Sequence, residues 1–334
     1  MDRYARQIVF SPIGKDGQEK LNLAKVAIIG VGALGTVAAN NLCRSGIGYL
    51  RIIDRDYVEI TNLQRQVLFI EEDALQTLPK AIAATNHLQQ INSQIIIEPI
   101  IADVNSSNIE RFIQDMDLVI DATDNIETRL LVNEACHSHR IPWIYAASLG
   151  SEGMTMNFIW DEKDPCLRCF INAESSSGKN CSTHGVLNMI TSIVASLQTA
   201  EALKIILGSN STRKELLSVD IWESQFHLVK IEQNETCPVC VEGRYEFLGK
   251  AVGSFSTTFC GNNSIQVLPP KAKVIDFPII AKKLEKIGAV SHNSYSLKFT
   301  VDKYEFVLFQ DGRAIIKNAL DTNHAKSLYT EYLG

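Results

Sequence analysis

The first half of the chain alternates two hydrophobic periods. Short apolar runs, Val26–Ile29, Leu50–Ile53, Ile95–Ile100, Leu118–Ile120 and Trp143–Ala146, have the length of buried strands. Between them, Ala33–Arg44, Pro79–Gln90 and Ile126–His137 repeat apolar residues every three or four positions and read as helices. Pro79 suits a first helical turn, where the missing N–H costs nothing. This alternation predicts an α/β fold: a Rossmann-like, mostly parallel sheet with helices on both faces. After about Ser148 the pattern changes. Met154–Ile159, Leu217–Ile221 and Phe226–Ile231 read as strands, expected to be antiparallel, and a polar Ser-rich loop from Asn172 to Gly185 leads into a long apolar helix, Val186–Leu207. A separate piece begins after Tyr245. It carries an expected helix at Ile279–Ile287, short strands at Ser296–Thr300, Tyr304–Phe309 and Ala314–Lys317, and a last helix at Asn323–Tyr332. The expected organisation is a domain over 1–245 followed by a small α+β domain over 246–334.

Composition narrows the class. The 334 residues exceed one small domain, and 46% hydrophobic with 21% charged residues is an ordinary globular mix. Lys plus Arg is 32 against 38 Asp plus Glu, a net charge of −6, so no basic surface and no nucleic-acid partner are expected. The N-terminal MDRYARQIVF is charged from its second residue, so no export signal is expected. The apolar helix carries Gln198, Glu201 and Lys204, which argues against a membrane span. A cytoplasmic protein is expected, with its eight cysteines serving as thiols or metal ligands and not as disulfides.

The chemistry begins at Gly30-Val31-Gly32-Ala33-Leu34-Gly35, a GxGxxG between a strand and a helix. Such glycines let the backbone approach a phosphate at a helix N-terminus. Asp54 lies 19 residues after Gly35, at the end of the next strand, where a carboxylate accepts from ribose hydroxyls. These features alone fit NAD and ATP equally. The cations that follow favour a triphosphate: Arg65 and Lys80 would neutralise its charge, and Asn62 would position an oxygen. Asp121-Ala122-Thr123-Asp124-Asn125 follows a buried strand, with Arg129 one turn into the next helix. Asp124 is the candidate Mg²⁺ ligand, and Asp121 is expected to cap that helix.

Two CxxC pairs, Cys166/Cys169 and Cys237/Cys240, each present two thiolates at zinc-ligand spacing and together would complete a tetrahedral site. The 67 residues between them are too many for a simple zinc ribbon. A redox CxxC is the competing reading, but neither pair opens a helix after a strand. Cys181 lies in Asn180-Cys181-Ser182-Thr183-His184-Gly185, just before a helix N-terminus that would lower its thiol pKa, with His184 as a candidate base. Cys43 and Cys136 fall in apolar helices and are expected in the core, and Cys260 shows no partner.

The ordered motifs RYARQ (Arg3–Gln7), GVGALG, DRDYVEITNLQRQ (Asp54–Gln66), Pro79-Lys80 and DATDN (Asp121–Asn125), with the cysteine pairs, resemble the ThiF/MoeB/HesA family, bacterial relatives of ubiquitin-activating enzymes. The resemblance spans about residues 1–245. It implies that ATP occupies the glycine loop at Gly30, Gly32 and Gly35. It further implies that the C-terminal carboxylate of a ubiquitin-like sulfur carrier ending in Gly-Gly is adenylated. Carried over by motif, Asp54 binds ribose, Asn62, Arg65 and Lys80 contact phosphates, and Asp124 is linked to Mg²⁺. Arg6 would reach the nucleotide of the other subunit in a homodimer. The four cysteines would hold a structural Zn²⁺, and Cys181 would form a thioester or acyl-disulfide with the carrier, unless an external persulfide donor brings the sulfur.

Departures are visible. Gly185-Val186-Leu187-Asn188 stands where the family has a Gly-Pro turn, so the entry into the long helix is expected to differ. Residues 246–334 resemble a tail on some Firmicute ThiF/MoeB-like proteins, for which a docking or stabilising role is expected. Thiamin and molybdopterin branches share the motifs above, and Cys181 favours the thiamin branch. Two other classes remain open at this point. An NAD-dependent oxidoreductase would explain the glycine loop and Asp54 but not Arg65, Lys80 or the cysteines. A zinc-stabilised binding scaffold with a weak nucleotide site would explain the fold and tail.

Overall fold

A computed structural model describes residues 3–161, 163–171, 185–249, 256–258, 264–269 and 274–334. The elements run α1 (Ala5–Ile8), α2 (Gly14–Leu23), β1 (Lys25–Ile29), α3 (Ala33–Ser45), β2 (Tyr49–Asp54), α4 (Glu71–Leu75), α5 (Lys80–Ile91), β3 (Ile96–Ile101), α6 (Ile109–Ile113), β4 (Leu118–Asp121), α7 (Ile126–His139), β5 (Trp143–Leu149), β6 (Glu152–Phe158), α8 (Asn188–Leu207), β7 (Leu216–Asp220) and β8 (Gln225–Val229). The C-terminal part adds β9 (Ser256–Thr258), β10 (Ser264–Val267), α9 (Phe277–Leu284), β11 (Ala289–His292), β12 (Ser296–Val301), β13 (Tyr304–Phe309), β14 (Ala314–Lys317) and α10 (Thr322–Leu333).

The first sheet has eight strands in the order β3-β2-β1-β4-β5-β6-β7-β8. From β3 to β5 all pairings are parallel, and from β5 to β8 they are antiparallel, as the change of pattern near Ser148 predicts. The central strands are continuous apolar runs because both faces are covered. Val26, Ile28, Leu50, Ile52, Leu118 and Ile120 pack on one side with α3 and α5. Ala27, Ile29, Val119, Trp143 and Tyr145 pack on the other with α6 and α7. Strand order reverses between β1 and β4. In such a sheet the carboxyl ends of those strands open a crevice for a ligand.

Helix α8 is long and apolar enough to cross a membrane by length and composition. It nevertheless buries Gln198, whose amide donates to the carbonyls of Asp121 and Ile144 at 2.8 Å each. Its Glu201 accepts from Asn157 at 2.6 Å and from the Arg213 N–H at 2.9 Å. Those bonds tie it to the sheet as a core helix.

The second sheet is antiparallel, in the order β11-β12-β13-β14-β10-β9, with its own core of Phe277, Leu297, Phe299, Phe306, Ile316 and Leu328 among others. Helix α9 begins at Phe277, two residues before the expected start. Asp276 caps it, accepting from the Ile279 N–H at 3.1 Å, and Pro278 fits its first turn.

Candidate nucleotide and metal sites

The crevice is built first by glycine. Gly30 leaves β1 with φ of +89°, and a Cβ there would lie 2.7 Å from the Ala122 carbonyl oxygen. A Cβ on Gly35 would stand 2.0 Å from the Gly30 oxygen, so α3 can pack against the loop only with glycine there. Gly32, the residue before α3, faces open space: its nearest neighbour would be Gln66 Nε2 at 3.9 Å. A backbone cradle at the N-terminus of a 13-residue helix, with room above Gly32, suits a phosphate group.

Asp54 ends β2 beside this loop. Its Oδ2 accepts the Val31 N–H at 2.6 Å and its Oδ1 accepts the Asp56 N–H at 2.8 Å. Burial holds its carboxyl above the ordinary value, and the Lys80 charge offsets only part of that. Lys80 begins α5. Its backbone N–H donates to the Asp56 carbonyl at 2.9 Å, and its Nζ lies 2.6 Å from Asp56 Oδ2. Burial alone would lower the Lys80 pKa, but the carboxylates of Asp56 and Asp54 outweigh it and raise it. Burial likewise works to raise Asp56, and Lys80 wins, holding that carboxyl low. The buried amine is therefore a fixed cation.

Asp124 is exposed at the carboxyl end of β4, near enough to act electrostatically on both Lys80 and Arg55. Arg55 is already matched by Asp103, Nη1 to Oδ1 at 2.9 Å. Among the described residues, the carboxylates of Asp54, Asp56, Asp103 and Asp124 thus outnumber the cations that act on them, Lys80, Arg55 and Arg313. That excess of oxygen charge fits a hard divalent ion such as Mg²⁺, which Asp124 would hold.

The loop that carries Asp124 is fixed from below. Arg129 donates to the carbonyls of Thr123 at 2.6 Å and Ala146 at 3.1 Å, lies over the Tyr145 ring at 5.2 Å, and faces Asp121 at 3.4 Å. Asp121 does not cap α7, contrary to expectation. Its Oδ1 is taken by the N–H and hydroxyl of Thr123, and the cap is Asn125, whose Oδ1 accepts the Thr128 N–H at 2.8 Å. Asp121 is the last strand residue and fully buried, one turn too early to reach the helix N-terminus.

The other expected residues are placed as follows. Asn62 is buried, and its Oδ1 accepts the Glu59 N–H at 3.0 Å within a short turn at Ile60–Asn62. Arg65 stands on the same segment, half-buried, donating to the Thr61 carbonyl at 2.9 Å. Arg6 is exposed on α1. Cys43 and Cys136 are buried in the core as expected. Cys181, His184 and Cys260 lie outside the described residues. The sequence reading gave no role to Arg55, Asp56 or Gln66. Gln66 is buried beside Gly32, and its Oε1 has no hydrogen-bond partner among the described residues. Its place directly after Arg65 carried no signal, because nothing in spacing shows which side chains fold under the loop.

The cysteines do converge. Sγ of Cys166 lies 3.5 Å from that of Cys237, Sγ of Cys169 lies 3.5 Å from that of Cys240, and all four sulfurs fall within 4.8 Å of one another. A tetrahedral Zn²⁺ at about 2.3 Å from each sulfur needs sulfurs roughly 3.8 Å apart. The backbone N–H groups of Cys166 and Asn234 point at Cys169 Sγ, each at 3.4 Å, as suits a thiolate. The set fits a closed metal centre that pins the chain after β6 to the segment near residue 240.

A family model described as the ThiF family matches residues 4–239. The "Sulfur carrier protein ThiS adenylyltransferase" of Bacillus subtilis is 38% identical over 335 residues, covering 99% of both chains. The "Molybdopterin-synthase adenylyltransferase" of Escherichia coli is 34% identical and covers 72% of this chain and 96% of its own length. Among solved structures, Escherichia coli MccB determined with ATP superposes with a TM-score of 0.62 at 24% identity, covering 72% of this chain and 74% of that one, a likeness of fold.

Proposed function

The chain belongs to the ThiF family, and from that premise we propose that it adenylates the C-terminal carboxylate of a ThiS-type, ubiquitin-like sulfur carrier ending in Gly-Gly. Adenylation of a sulfur carrier protein is what the names of the Bacillus subtilis relative and of a Thermus thermophilus relative state for them. Both curated relatives named above are called adenylyltransferases, which supports neither an oxidoreductase nor a bare scaffold. One observation favours the thiamin branch over the molybdopterin branch: a ThiS enzyme, that of Bacillus subtilis, matches through the C-terminal sheet and covers 99% of both chains, although the ThiS enzyme of Escherichia coli matches 71% of this chain. The molybdopterin-type relative matches 72% of this chain.

In this reading residues 1–245 are the catalytic domain and 246–334 a second domain. The triphosphate of ATP lies on Gly30, Gly32 and Gly35, and its ribose is held by Asp54. The carrier's carboxylate attacks the α-phosphorus, an acyl-adenylate forms, and pyrophosphate leaves. No protein group needs to become covalently attached in this step. The chain supplies position and charge: Lys80, fixed by Asp56, and Arg65 stabilise the negative charge that builds on the phosphates. Asn62 orients a phosphate oxygen, and Arg6 of a second copy in a homodimer completes the cation set. Mg²⁺ held by Asp124 would neutralise the leaving pyrophosphate when bound. Zn²⁺ in the four-cysteine site leaves no open position and is structural. Cys181 is the candidate acceptor for the second step, with an external persulfide donor as the other route for sulfur. A cytoplasmic location belongs to the same reading. The test is ATP–pyrophosphate exchange with and without purified carrier, beside a nicotinamide titration that should show no binding.

A further inference from the structure

The C-terminal sheet is seated on the outer side of the segment between β2 and α5, which carries Asp54, Asn62, Arg65 and Lys80. Part of this contact is apolar: Tyr57 packs with Val307, Phe309 and Ile315. Part is polar and unusual. Arg313 is 1% exposed, its guanidinium lies 3.9 Å from the centre of the Phe309 ring, and its Nη1 donates to the Arg55 carbonyl and, at 3.0 Å, to Gln266 Oε1. Gln266 in turn donates from Nε2 to Asp103 Oδ2 at 2.9 Å, and Asp103 Oδ1 holds Arg55 Nη1 at 2.9 Å. The side chains of Arg313, Gln266 and Asp103 thus close a ring with Arg55, through its guanidinium and its backbone carbonyl.

The carbonyl that Arg313 grips belongs to the peptide whose N–H, that of Asp56, donates to Asp54 Oδ1. The next side chain along is the carboxylate that fixes Lys80. One peptide unit therefore links the buried guanidinium on one side to the proposed ribose ligand and phosphate cation on the other. A buried charge is costly unless it is well paired; this one has the Asp311 carboxylate 3.7 Å from its Nε, and its Nη1 hydrogen bonds go to that peptide and to Gln266.

From this geometry we infer that Arg313 is a positioning residue for ATP, and that the C-terminal sheet acts as a brace setting Asp54 and Lys80 for nucleotide binding. The inference rests on reading the glycine-loop crevice as an ATP site. Without Arg313, the Arg55–Asp56 peptide loses the donor to its carbonyl and, among the described residues, is held on this side through its N–H bond to Asp54, and a misplacement of about 1 Å in a positioning network costs up to about 100-fold in rate.

The experiment compares full-length wild type with Arg313→Gln, Arg313→Lys and, as a control in the same domain, Leu320→Ser at a position 79% exposed. ATP with Mg²⁺ is titrated by calorimetry, melting is followed in parallel, and KM is measured for ATP and for carrier in the exchange assay. The expected result for Arg313→Gln is at least a tenfold weaker ATP affinity, a matching rise in KM for ATP, and no change in KM for carrier, with partial recovery in Arg313→Lys. A merely structural role would lower the active fraction and leave both KM values alone. Wild-type ATP affinity in folded Arg313→Gln overturns the inference. If that variant does not fold, Gln266→Met cuts the ring at Asp103 with Arg313 in place; it should weaken ATP at least about threefold, and unchanged affinity overturns the inference. A wild-type protein that binds no ATP defeats the nucleotide reading itself and the inference with it.

Discussion

Lys80 Nζ lies 2.6 Å from Asp56 Oδ2 across 24 residues of chain, and the same lysine's backbone N–H donates to the Asp56 carbonyl. Side chain and main chain of one residue are thus both tied to the turn after β2, so the cation cannot drift from the crevice. Replacing Lys80 by Ala should cut carrier-dependent exchange at least about 100-fold, the scale of one preorganised electrostatic contact. Arg65→Ala should cut it comparably without lowering Tm, since its guanidinium is half-buried and, among the described residues, makes a local bond to the Thr61 carbonyl. Exchange kinetics beside a melting curve separate the two effects.

The Lys80–Asp56 pair carries a pH signature. Lys80 holds the Asp56 carboxyl below its ordinary value of 3.8 despite burial. A carboxylate with a depressed folded pKa contributes stability that is complete above the unfolded value and is lost as pH falls through the folded value. The stability difference between wild type and Asp56→Asn should therefore be constant near neutrality and shrink only below pH 3.8. Denaturant unfolding at a series of pH values reads this directly. A gap that closes already at pH 6 would contradict the pairing.

The glycines predict opposite outcomes at neighbouring positions. Gly35→Ala drives a Cβ to 2.0 Å from the Gly30 oxygen, so it should lower Tm and abolish ATP binding together. Gly32→Ala places its Cβ in open space, 3.9 Å from Gln66 Nε2, so it should leave Tm near wild type and still weaken ATP by filling the phosphate cradle. Differential scanning fluorimetry with and without ATP distinguishes them.

Much of this frame is legible in the chain. Helices α3 and α5 fall within one or two residues of expectation because glycine and proline punctuate a clear period. The cysteine pairs meet as their spacing suggests, though 71 residues separate the contacting sulfurs. Helix α2 escapes because it buries little beyond Gly17, Gln18 and Leu21. Strand β10 escapes for a related reason: Ser264 and Gln266 are buried polar residues, and Gln266 finds its partner 163 residues away in Asp103. Periodicity reports burial of apolar side chains. It says nothing of a polar residue whose burial depends on a distant partner, and the brace around Arg55 consists of such residues.

The four-cysteine centre should behave as structure and not as chemistry. Cys237→Ser should abolish stoichiometric zinc and lower Tm, since the metal's binding energy is folding energy. The adenylation chemistry of whatever folded fraction remains should be intact, because no cysteine of this cluster is among the crevice residues. Metal analysis with an active-site-normalised exchange rate checks both. Zinc bound at full occupancy in Cys237→Ser would contradict the assignment.

Cys181 separates the two steps. Cys181→Ala should leave ATP–pyrophosphate exchange within about twofold of wild type, because adenylation needs positioning and charge neutralisation but no nucleophilic protein thiol. It should lose any carrier-linked thioester or acyl-disulfide seen by intact-mass measurement. An exchange rate that collapses in this variant would place the thiol in the first step.

The most direct test of the account is ATP–pyrophosphate exchange with a purified ThiS-type carrier, a MoaD-type carrier, and no carrier. The account predicts exchange that depends on the ThiS-type carrier, is lost when its terminal Gly-Gly is removed, and is weak or absent with the MoaD-type carrier. Exchange with the MoaD-type carrier alone would contradict the proposed branch. No exchange with either carrier, from protein that binds ATP and zinc, would contradict the proposed reaction.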